Sequence, residues 1–320
     1  MKALSFKAPH QPVTLGEAPK PEPKNGEVMV ELKAAAMNHR DVWMTHGLYP
    51  NLTEGVILGS DGAGYVGERA VIINPNINWG DNPNYPNHKT YQILGMPSDG
   101  TFAEYIAVAE DRLADKPEHL SMEEAAALPL GGLTAFRALF SKAKATKKDK
   151  VLISGVGGGV ALFACQFAIA AGAEVYVTTG SDEKIQKAVD IGAKGGINYK
   201  TEKWHKAFAK EFSGVDVVID SAGGAGFDSL LKVCNPMARV ATYGGTRGKI
   251  AITPQVLFWK EIQIFGSTMG SDEEFQKMVG FVNEHKIKPV VDSVYDLADA
   301  GAAFEKMDNG GQFGKIVFRI

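Results

Sequence analysis

The chain has 320 residues, 45% hydrophobic and 22% charged, a balance that supports a sizeable core and a length that suits two domains. Its formal net charge of −3 leaves no basic patch for nucleic acid and no lysine-rich amphipathic stretch for a membrane, so small-molecule chemistry is the expectation. Its two cysteines, Cys165 and Cys234, lie far apart in apolar surroundings and read as buried free thiols, which excludes a disulfide framework and a cysteine zinc site.

The opening Met1-Lys2-Ala3-Leu4-Ser5-Phe6-Lys7 has too short an apolar run for a secretory signal, and a cytoplasmic location is expected. From residue 1 to about 119, short β runs alternate with turn residues. In Val28-Met29-Val30-Glu31-Leu32 the alternation gives one buried face, and Pro19, Pro21 and Pro23 form an extended connector before it. Asn38-His39-Arg40-Asp41, His46-Gly47-Leu48-Tyr49-Pro50 and Leu58-Gly59-Ser60-Asp61-Gly62-Ala63-Gly64 follow. Small, glycine-punctuated strands of this kind fit a compact barrel-like domain. Residues 74–95, rich in Asn, Pro and Tyr and without a period, read as a long surface loop, a length uncommon unless functional.

The texture changes at Ser121-Met122-Glu123-Glu124, a capping-box pattern that opens a helix, with Pro129 as a break. Residues 134–143 read as helix and the lysine-rich residues 144–150 as a solvated connector. Then comes Val151-Leu152-Ile153-Ser154-Gly155-Val156-Gly157-Gly158-Gly159-Val160-Ala161, four glycines after an apolar strand, leading into an apolar helix that Gly172 stops. A helix start carries unpaired N–H groups and a partial positive charge, and glycines let a pyrophosphate come close to them. A plain tight turn is the blander reading, but the strand over residues 174–178 completes the βαβ unit that a nucleotide loop requires. Residues 151–173 are also long and apolar enough for a membrane span, yet the glycine cluster and charged flanks favour a buried strand followed by a buried helix.

Beyond that unit the alternation continues with a helix over 182–191, a strand over 196–198 and an amphipathic helix carrying Trp204, Phe208 and Phe212. Strands over 215–219, 239–243 and 262–265 follow, which makes the sheet parallel and doubly wound. Ser271 and Glu274 open a further capped helix, residues 296–307 read as another helix, and residues 315–320 as a last strand.

Several motifs, in this order, resemble the medium-chain dehydrogenase/reductase superfamily and, within it, the zinc-free quinone oxidoreductase branch. They are Asn38-His39-Arg40-Asp41, Gly47-Leu48-Tyr49-Pro50, Gly100-Thr101-Phe102-Ala103-Glu104-Tyr105, Ala125-Ala126-Ala127-Leu128-Pro129-Leu130-Gly131-Gly132-Leu133-Thr134-Ala135, the glycine loop and Gly314-Lys315-Ile316-Val317. The resemblance implies an α/β fold, with a GroES-like, β-rich catalytic domain (residues 1–120 plus 267–320) and an inserted Rossmann dinucleotide-binding domain (residues 121–266). It places the active site in the cleft between the two and suggests a homodimer joined through sheet edges near residues 262–265. One departure stands out. Family members carry a longer hairpin where this chain has Gly64-Tyr65-Val66-Gly67-Glu68-Arg69-Ala70-Val71, which puts the local barrel geometry in question.

Zinc-dependent members hold their metal at positions that align with Asn38, Ser60 and Leu130 here, and residues 74–95 contain no cysteine for a structural metal. Tetrahedral zinc takes thiolate, imidazole or carboxylate ligands at ~2.0–2.3 Å, which this trio does not supply, so no metal is expected. His39 and Asp41 are read as structural or cofactor-facing. Without a Lewis acid, substrates that accept hydride by conjugate addition, quinones and α,β-unsaturated carbonyls, become the natural ones. By resemblance Asn38, Asp41 and Tyr49 line the nicotinamide pocket. The Asn38 amide is a candidate donor to the developing oxyanion, with a turn residue or a ribose contact as the standing alternatives. Tyr49 is either a proton donor to an enolate or a packing tyrosine.

NAD-preferring sites place an acid at the end of the second strand, where it would repel a 2′-phosphate. Here Thr179, Gly180 and Ser181 replace it. Lys184 and Tyr199 match positions that hold the 2′-phosphate in NADPH-using relatives, although Lys184 also reads as a solvated helix lysine. NADPH is therefore the expected cofactor. The further contacts carried over are Thr134, Gly158, Gly159, Val160, Tyr243, Gly244 and the segment from Ser267 to Met269. The expected function is an NADPH-dependent, metal-free reductase of quinones or enones. A zinc alcohol dehydrogenase and a non-catalytic NADPH-binding sensor are the competing readings.

Overall fold

The computed structural model describes residues 1–320. Contacts divide the chain into two units, Met1–Leu133 with Ser271–Ile320, and Thr134–Gly270. Both boundaries fall later than residues 120/121 and 266/267. The capped helix Met122–Ala127, with Ser121 and Glu124 exchanging the two bonds of its capping box, packs on the sheet of the first unit. The capped helix that begins at Asp272 is likewise tied there, through Asp272 to Asn74 and Arg112.

The spine of the first unit is the strand Glu27–Ala36. Its first half pairs with Tyr105–Ala109 and its second half with Lys315–Arg319, while Asp61–Val66 lies antiparallel along its other edge. Paired on both sides, Ala34, Ala35 and Ala36 are wholly buried. The sheet runs Val291–Asp296, Lys315–Arg319, Glu27–Ala36, Asp61–Val66, Arg69–Ile73, Leu113–Asp115. One face packs on a cluster that includes Leu4, Met37, Met44, Phe102 and Phe318, and another cluster gathers Val30, Leu32, Ile73 and Val108. At Gly64 any side chain would strike the spine, because a Cβ there would sit 2.0 Å from the Glu31 carbonyl oxygen. Register decides what meets at the top of this sheet. Ala36 pairs with Asp61 on one side and with Val317 on the other, so Asn38, Asp61 and Lys315 arrive at one corner.

The shortened hairpin closes without damage. Val66 pairs with Arg69 across Gly67 and Glu68, with Gly67 at φ +60°, the backbone a two-residue hairpin turn asks of its first position. Residues 74–95 are better ordered than a surface loop. Asn76–Ile77 pairs with Gln92–Ile93, and Trp79 is buried edge-on against Tyr91, its indole N–H donating to the Asn82 carbonyl at 2.9 Å. Pro129 does not break the helical stretch. It opens the next helix, Pro129–Phe136, where its missing N–H costs nothing. The expected helix over 296–307 begins later, as Ala300–Asp308, because Val291–Asp296 is taken up as a parallel edge strand beside Lys315–Arg319.

The second unit is a six-stranded parallel sheet in the order Gly195–Asn198, Glu174–Thr179, Lys150–Ile153, Val215–Asp220, Cys234–Thr242, Gln263–Gly266. Chain order thus runs outward one way from Lys150–Ile153, then restarts on its other side at Val215–Asp220. That reversal is the switch point at which doubly wound sheets bind ligands. Five helices cover it, Gly159–Ala170, Asp182–Asp190, Trp204–Phe212, Phe227–Lys232 and Pro254–Trp259. The last begins at Pro254, a helix-start residue. No helix of the chain is long and apolar enough to cross a membrane. The apolar run that raised that question is strand, turn and a twelve-residue helix whose side chains pack against the sheet.

Candidate functional site

Each unit carries one concentration of polar residues that its fold would otherwise avoid. In the second unit these lie at the carboxyl ends of the parallel strands. The turn after Lys150–Ile153 uses Gly155 at φ +65° and Gly157 at φ +135°, and Gly158 is the N-cap of Gly159–Ala170. A Cβ at Gly158 would meet no atom within 4 Å, so the space above the helix start is open and the N–H groups of Gly159 and Val160 face it without cover. Ser154 braces the turn by donating to Asp220, whose other oxygen accepts from the Gly223 N–H at 2.9 Å. Gly244 must be glycine, since a Cβ there would sit 2.5 Å from the Ser221 carbonyl oxygen, and the Tyr243 N–H is held by the Asp220 carbonyl at 3.0 Å. Ser267 carries a buried hydroxyl with no partner. Thr134 is buried and donates to the Met269 sulfur at 3.7 Å.

At the end of the second strand Thr179 is buried and Tyr199 is held beside it, its N–H donating to the Thr179 carbonyl at 3.0 Å. Ser181 caps the following helix, its Oγ accepting from the Lys184 N–H at 3.4 Å. The neighbouring acids are committed elsewhere, Asp182 to the Asn198 amide and Glu183 to Lys187. Gly180 leaves room for the side chains that arrive from the next strand. A Cβ there would lie 2.9 Å from Lys200 Cε and 3.0 Å from the Tyr199 hydroxyl. Lys200, which sequence reasoning missed, therefore joins Tyr199 over this strand end.

In the first unit, Asn38 caps the helix His39–Thr45 with extended backbone, and Asp41 reaches back to accept its N–H at 2.8 Å. The Asn38 side chain is engaged in a different bond set. Its Nδ2 donates to Asp61 Oδ2 at 2.9 Å and its Oδ1 accepts from Lys315 Nζ at 2.7 Å. Lys315 also donates to Asp61 Oδ2 at 2.9 Å, and Asp61 Oδ1 accepts the Leu130 N–H at 2.7 Å. Asp61 is fully buried and Lys315 only 4% exposed, so this is an interior ion pair with its remaining lone pairs satisfied. Arg40 donates through Nη1 to Ser60 Oγ and to the Leu94 carbonyl, and through Nε to the Tyr49 hydroxyl at 3.2 Å. Asp41 thus bonds Asn38 directly and Tyr49 joins this corner through Arg40, while one Nδ2–H of Asn38 lies beyond its bond to Asp61. Arg40, Asp61 and Lys315 were not anticipated as site residues.

Asp41 is buried with one carboxylate oxygen, Oδ1, unpartnered. Burial raises its carboxyl to about 6, against a smaller downward pull from Arg40. A raised native value means the fold holds the proton more tightly than the unfolded chain does, so stability falls as pH rises through that range and stays lower above it. Asp41→Asn should therefore gain on the wild type by on the order of 2 kcal/mol between about pH 4.5 and pH 8. Urea unfolding at the two pH values measures this; an unchanging difference would mean that Asp41 ionises normally.

The donor chemistry fits a dinucleotide in the second unit, where an open glycine cradle, an orphaned serine hydroxyl and the Lys200 side chain lie at the strand ends. It does not fit zinc in the first. Asn38, Ser60 and Leu130, the trio expected at the ligand positions, offer an amide, a hydroxyl and an alkyl side chain, and no group of three His, Cys, Asp or Glu residues in the chain could hold a metal ion.

Known proteins carry the same two-part organisation. Residues 24–118 match the alcohol dehydrogenase GroES-like domain and residues 159–284 the zinc-binding dehydrogenase domain. The chain is 36% identical to a zinc-type alcohol dehydrogenase-like protein, YogA, of Leptosphaeria maculans, over 97% of this chain and 95% of that one. It is 31% identical to the quinone oxidoreductase of Mus musculus over 94% and 91%. A crystal structure of an NAD-dependent alcohol dehydrogenase superposes with a TM-score of 0.92 at 35% identity, covering both chains completely. The fold and the strand-end site are those of an oxidoreductase that uses a nicotinamide cofactor. The chain belongs to the medium-chain dehydrogenase/reductase superfamily.

Proposed function

We propose that the chain is an NADPH-dependent reductase that passes hydride to a quinone or an α,β-unsaturated carbonyl without a bound metal. The observation that carries the metal-free part is Arg40. Its permanently charged guanidinium donates to Ser60, one of the three positions where zinc-dependent relatives hold the ion, and a divalent cation would have to displace it. NADPH is supported by Tyr199 and Lys200 gathered at a strand end that lacks the acid expected of an NAD site, with Lys184 in the first turn of the helix that follows. The similarity to both a quinone oxidoreductase and alcohol dehydrogenases is compatible with this reading and does not by itself select it.

Bound reduced nicotinamide supplies the hydride. Addition to the far carbon of a conjugated carbonyl moves negative charge onto the substrate oxygen, and that oxygen needs donors in place of a Lewis acid. Asn38, with one N–H beyond its bond to Asp61, and the Arg40 guanidinium are the donors it would meet, the Lys315 charge being paired with Asp61. Tyr49 supplies the proton. The exposed Phe258, Trp259 and Met237 and the free edge of Gln263–Gly266 support a homodimer formed through this part of the second unit.

The test is NADPH oxidation on mixing the purified chain with a small quinone or an enal, with metal content and light scattering measured on the same preparation. Turnover without stoichiometric metal, from a particle of twice the chain mass, is expected. Zinc-dependent oxidation of a simple alcohol would replace this reading with an alcohol dehydrogenase. Tight NADPH binding with no turnover would replace it with a sensor, and a monomeric mass would reject the dimer.

A further inference from the structure

Arg40 does more than stand in the way of a metal. It is buried, and one edge of its guanidinium is pinned by Nη1, which donates to Ser60 Oγ and to the Leu94 carbonyl at 2.7 Å; Ser60 Oγ itself donates to that carbonyl at 2.8 Å. The other edge holds Tyr49. Nε donates to the phenol oxygen at 3.2 Å, and the guanidinium carbon lies 4.7 Å from the ring centroid.

An arginine has five N–H donors and no acceptor, so in this contact the Tyr49 oxygen can only accept. Its hydroxyl proton is not spent on Arg40 and must point elsewhere. A phenolate left by proton transfer would keep this contact as a hydrogen bond from guanidinium that is charge-assisted at both ends. Arg40 also has charge to spare, since its Nη2 is buried with no acceptor. Tyr49 packs against the cluster that includes Leu4, Met37 and Phe318, yet it is only half buried, beside the exposed Leu48. Packing alone would not call for a bond from a guanidinium that Ser60 and Leu94 pin from its other edge.

We propose that Arg40 is the positioning residue that makes Tyr49 the stereospecific proton donor. This rests on the enone-reductase reading given above. Once the β-carbon of the enone has received hydride from reduced nicotinamide, the π electrons reside on the enolate. Its α-carbon then takes the proton from the Tyr49 oxygen. The O–H bond breaks, a C–H bond forms, and the phenolate remains beside Arg40 until water reprotonates it. Protonation from one fixed phenol sets one configuration at the α-carbon, whereas protonation by bulk water sets none.

The experiment uses the full chain with NADPH and 2-methylcyclohex-2-enone, whose reduced α-carbon is a stereocentre. Enantiomeric ratio at early time, kcat, KM, NADPH affinity and the urea midpoint are measured for wild type, Tyr49→Phe, Arg40→Met, Arg40→Lys and the Tyr49→Phe, Arg40→Met double variant. Tyr49→Phe should lower kcat by about 100-fold or more, the usual contribution of a general acid, with the product drifting towards a racemate. Arg40→Met should move the ratio the same way with NADPH affinity retained, and should add little in the Tyr49→Phe background. Arg40→Lys, which keeps the charge but presents one donor nitrogen in place of the guanidinium's three, should fall between.

A product ratio unchanged in Tyr49→Phe, or an Arg40→Met loss of equal size in both backgrounds, would overturn the inference while leaving the reductase reading intact. If Arg40→Met fails to fold, Arg40→Lys and Tyr49→Phe decide by the same ratio. Turnover of quinones but of no enone would overturn the inference alone, and no turnover of either by the wild type would overturn the reading and the inference together.

Discussion

Lys315→Met should cost about 3–5 kcal/mol of stability, the usual penalty for removing one partner of a buried ion pair. Asp61 is entirely enclosed, and Lys315 Nζ, 2.9 Å away, is the cation bonded to it. With methionine in its place the carboxylate keeps the Asn38 amide and the Leu130 N–H, yet its charge stays in the interior without compensation. Asn38 loses the partner of its Oδ1 at the same time. Urea unfolding of the purified variant measures the loss, and Lys277→Met, which breaks only an exposed pair with Glu273 on a helix surface, serves as the comparison that should be unaffected. Equal midpoints for the two variants would mean that the ion pair does not hold this corner together.

Gly180→Asp should weaken NADPH binding by about 100-fold or more while leaving NADH binding far less changed, since a like charge brought against a phosphate costs several kcal/mol. The carboxylate would enter the space that Tyr199 and Lys200 now share, at the strand end where an acid would favour a ribose hydroxyl over its phosphate. It would also pair with Lys200 and draw that cation away from a ligand. Fluorescence titration with each dinucleotide gives the ratio directly. A parallel loss for both would relocate the 2′-phosphate away from Gly180.

Much of this architecture was legible because repeating patterns carry it. Four glycines between an apolar strand and an apolar helix have few physical readings, and the strands and helices that follow alternate at intervals that only a parallel sheet accommodates. The capping boxes at Ser121 and Ser271 marked two helix starts that the structure keeps, each with both reciprocal bonds. Periodicity has nothing to say where a long-range partner decides. The segment 291–296 becomes a strand because Lys315–Arg319 lies beside it, and Pro129 starts a helix because the preceding turn is already finished.

The polar corner of the first unit was legible only in part for the same reason. Asn38, Asp41 and Tyr49 sit in short local motifs, but what each side chain does is set by Arg40, Asp61 and Lys315, contributed by different elements. A signal for two of them was present. Asp61 and Lys315 are charges set at the thresholds of runs destined for the interior, Gly62-Ala63-Gly64 and Ile316-Val317-Phe318, where an unpaired charge would not be tolerated. Two such thresholds of opposite sign imply one another. Arg40 left no comparable trace, because an arginine in the first turn of a short helix ordinarily points to solvent.

The pairing of Lys315 with Asp61 also imposes an order on synthesis. Residues 134–270 form one contiguous unit and are complete well before Lys315 leaves the ribosome. The strand Glu27–Ala36, made early, must wait for Lys315–Arg319 to cover its second half, and until then Asp61 faces no cation. The inserted unit can mature on the emerging chain, while the unit whose sequence flanks it stays unfinished until Lys315–Arg319 has been made.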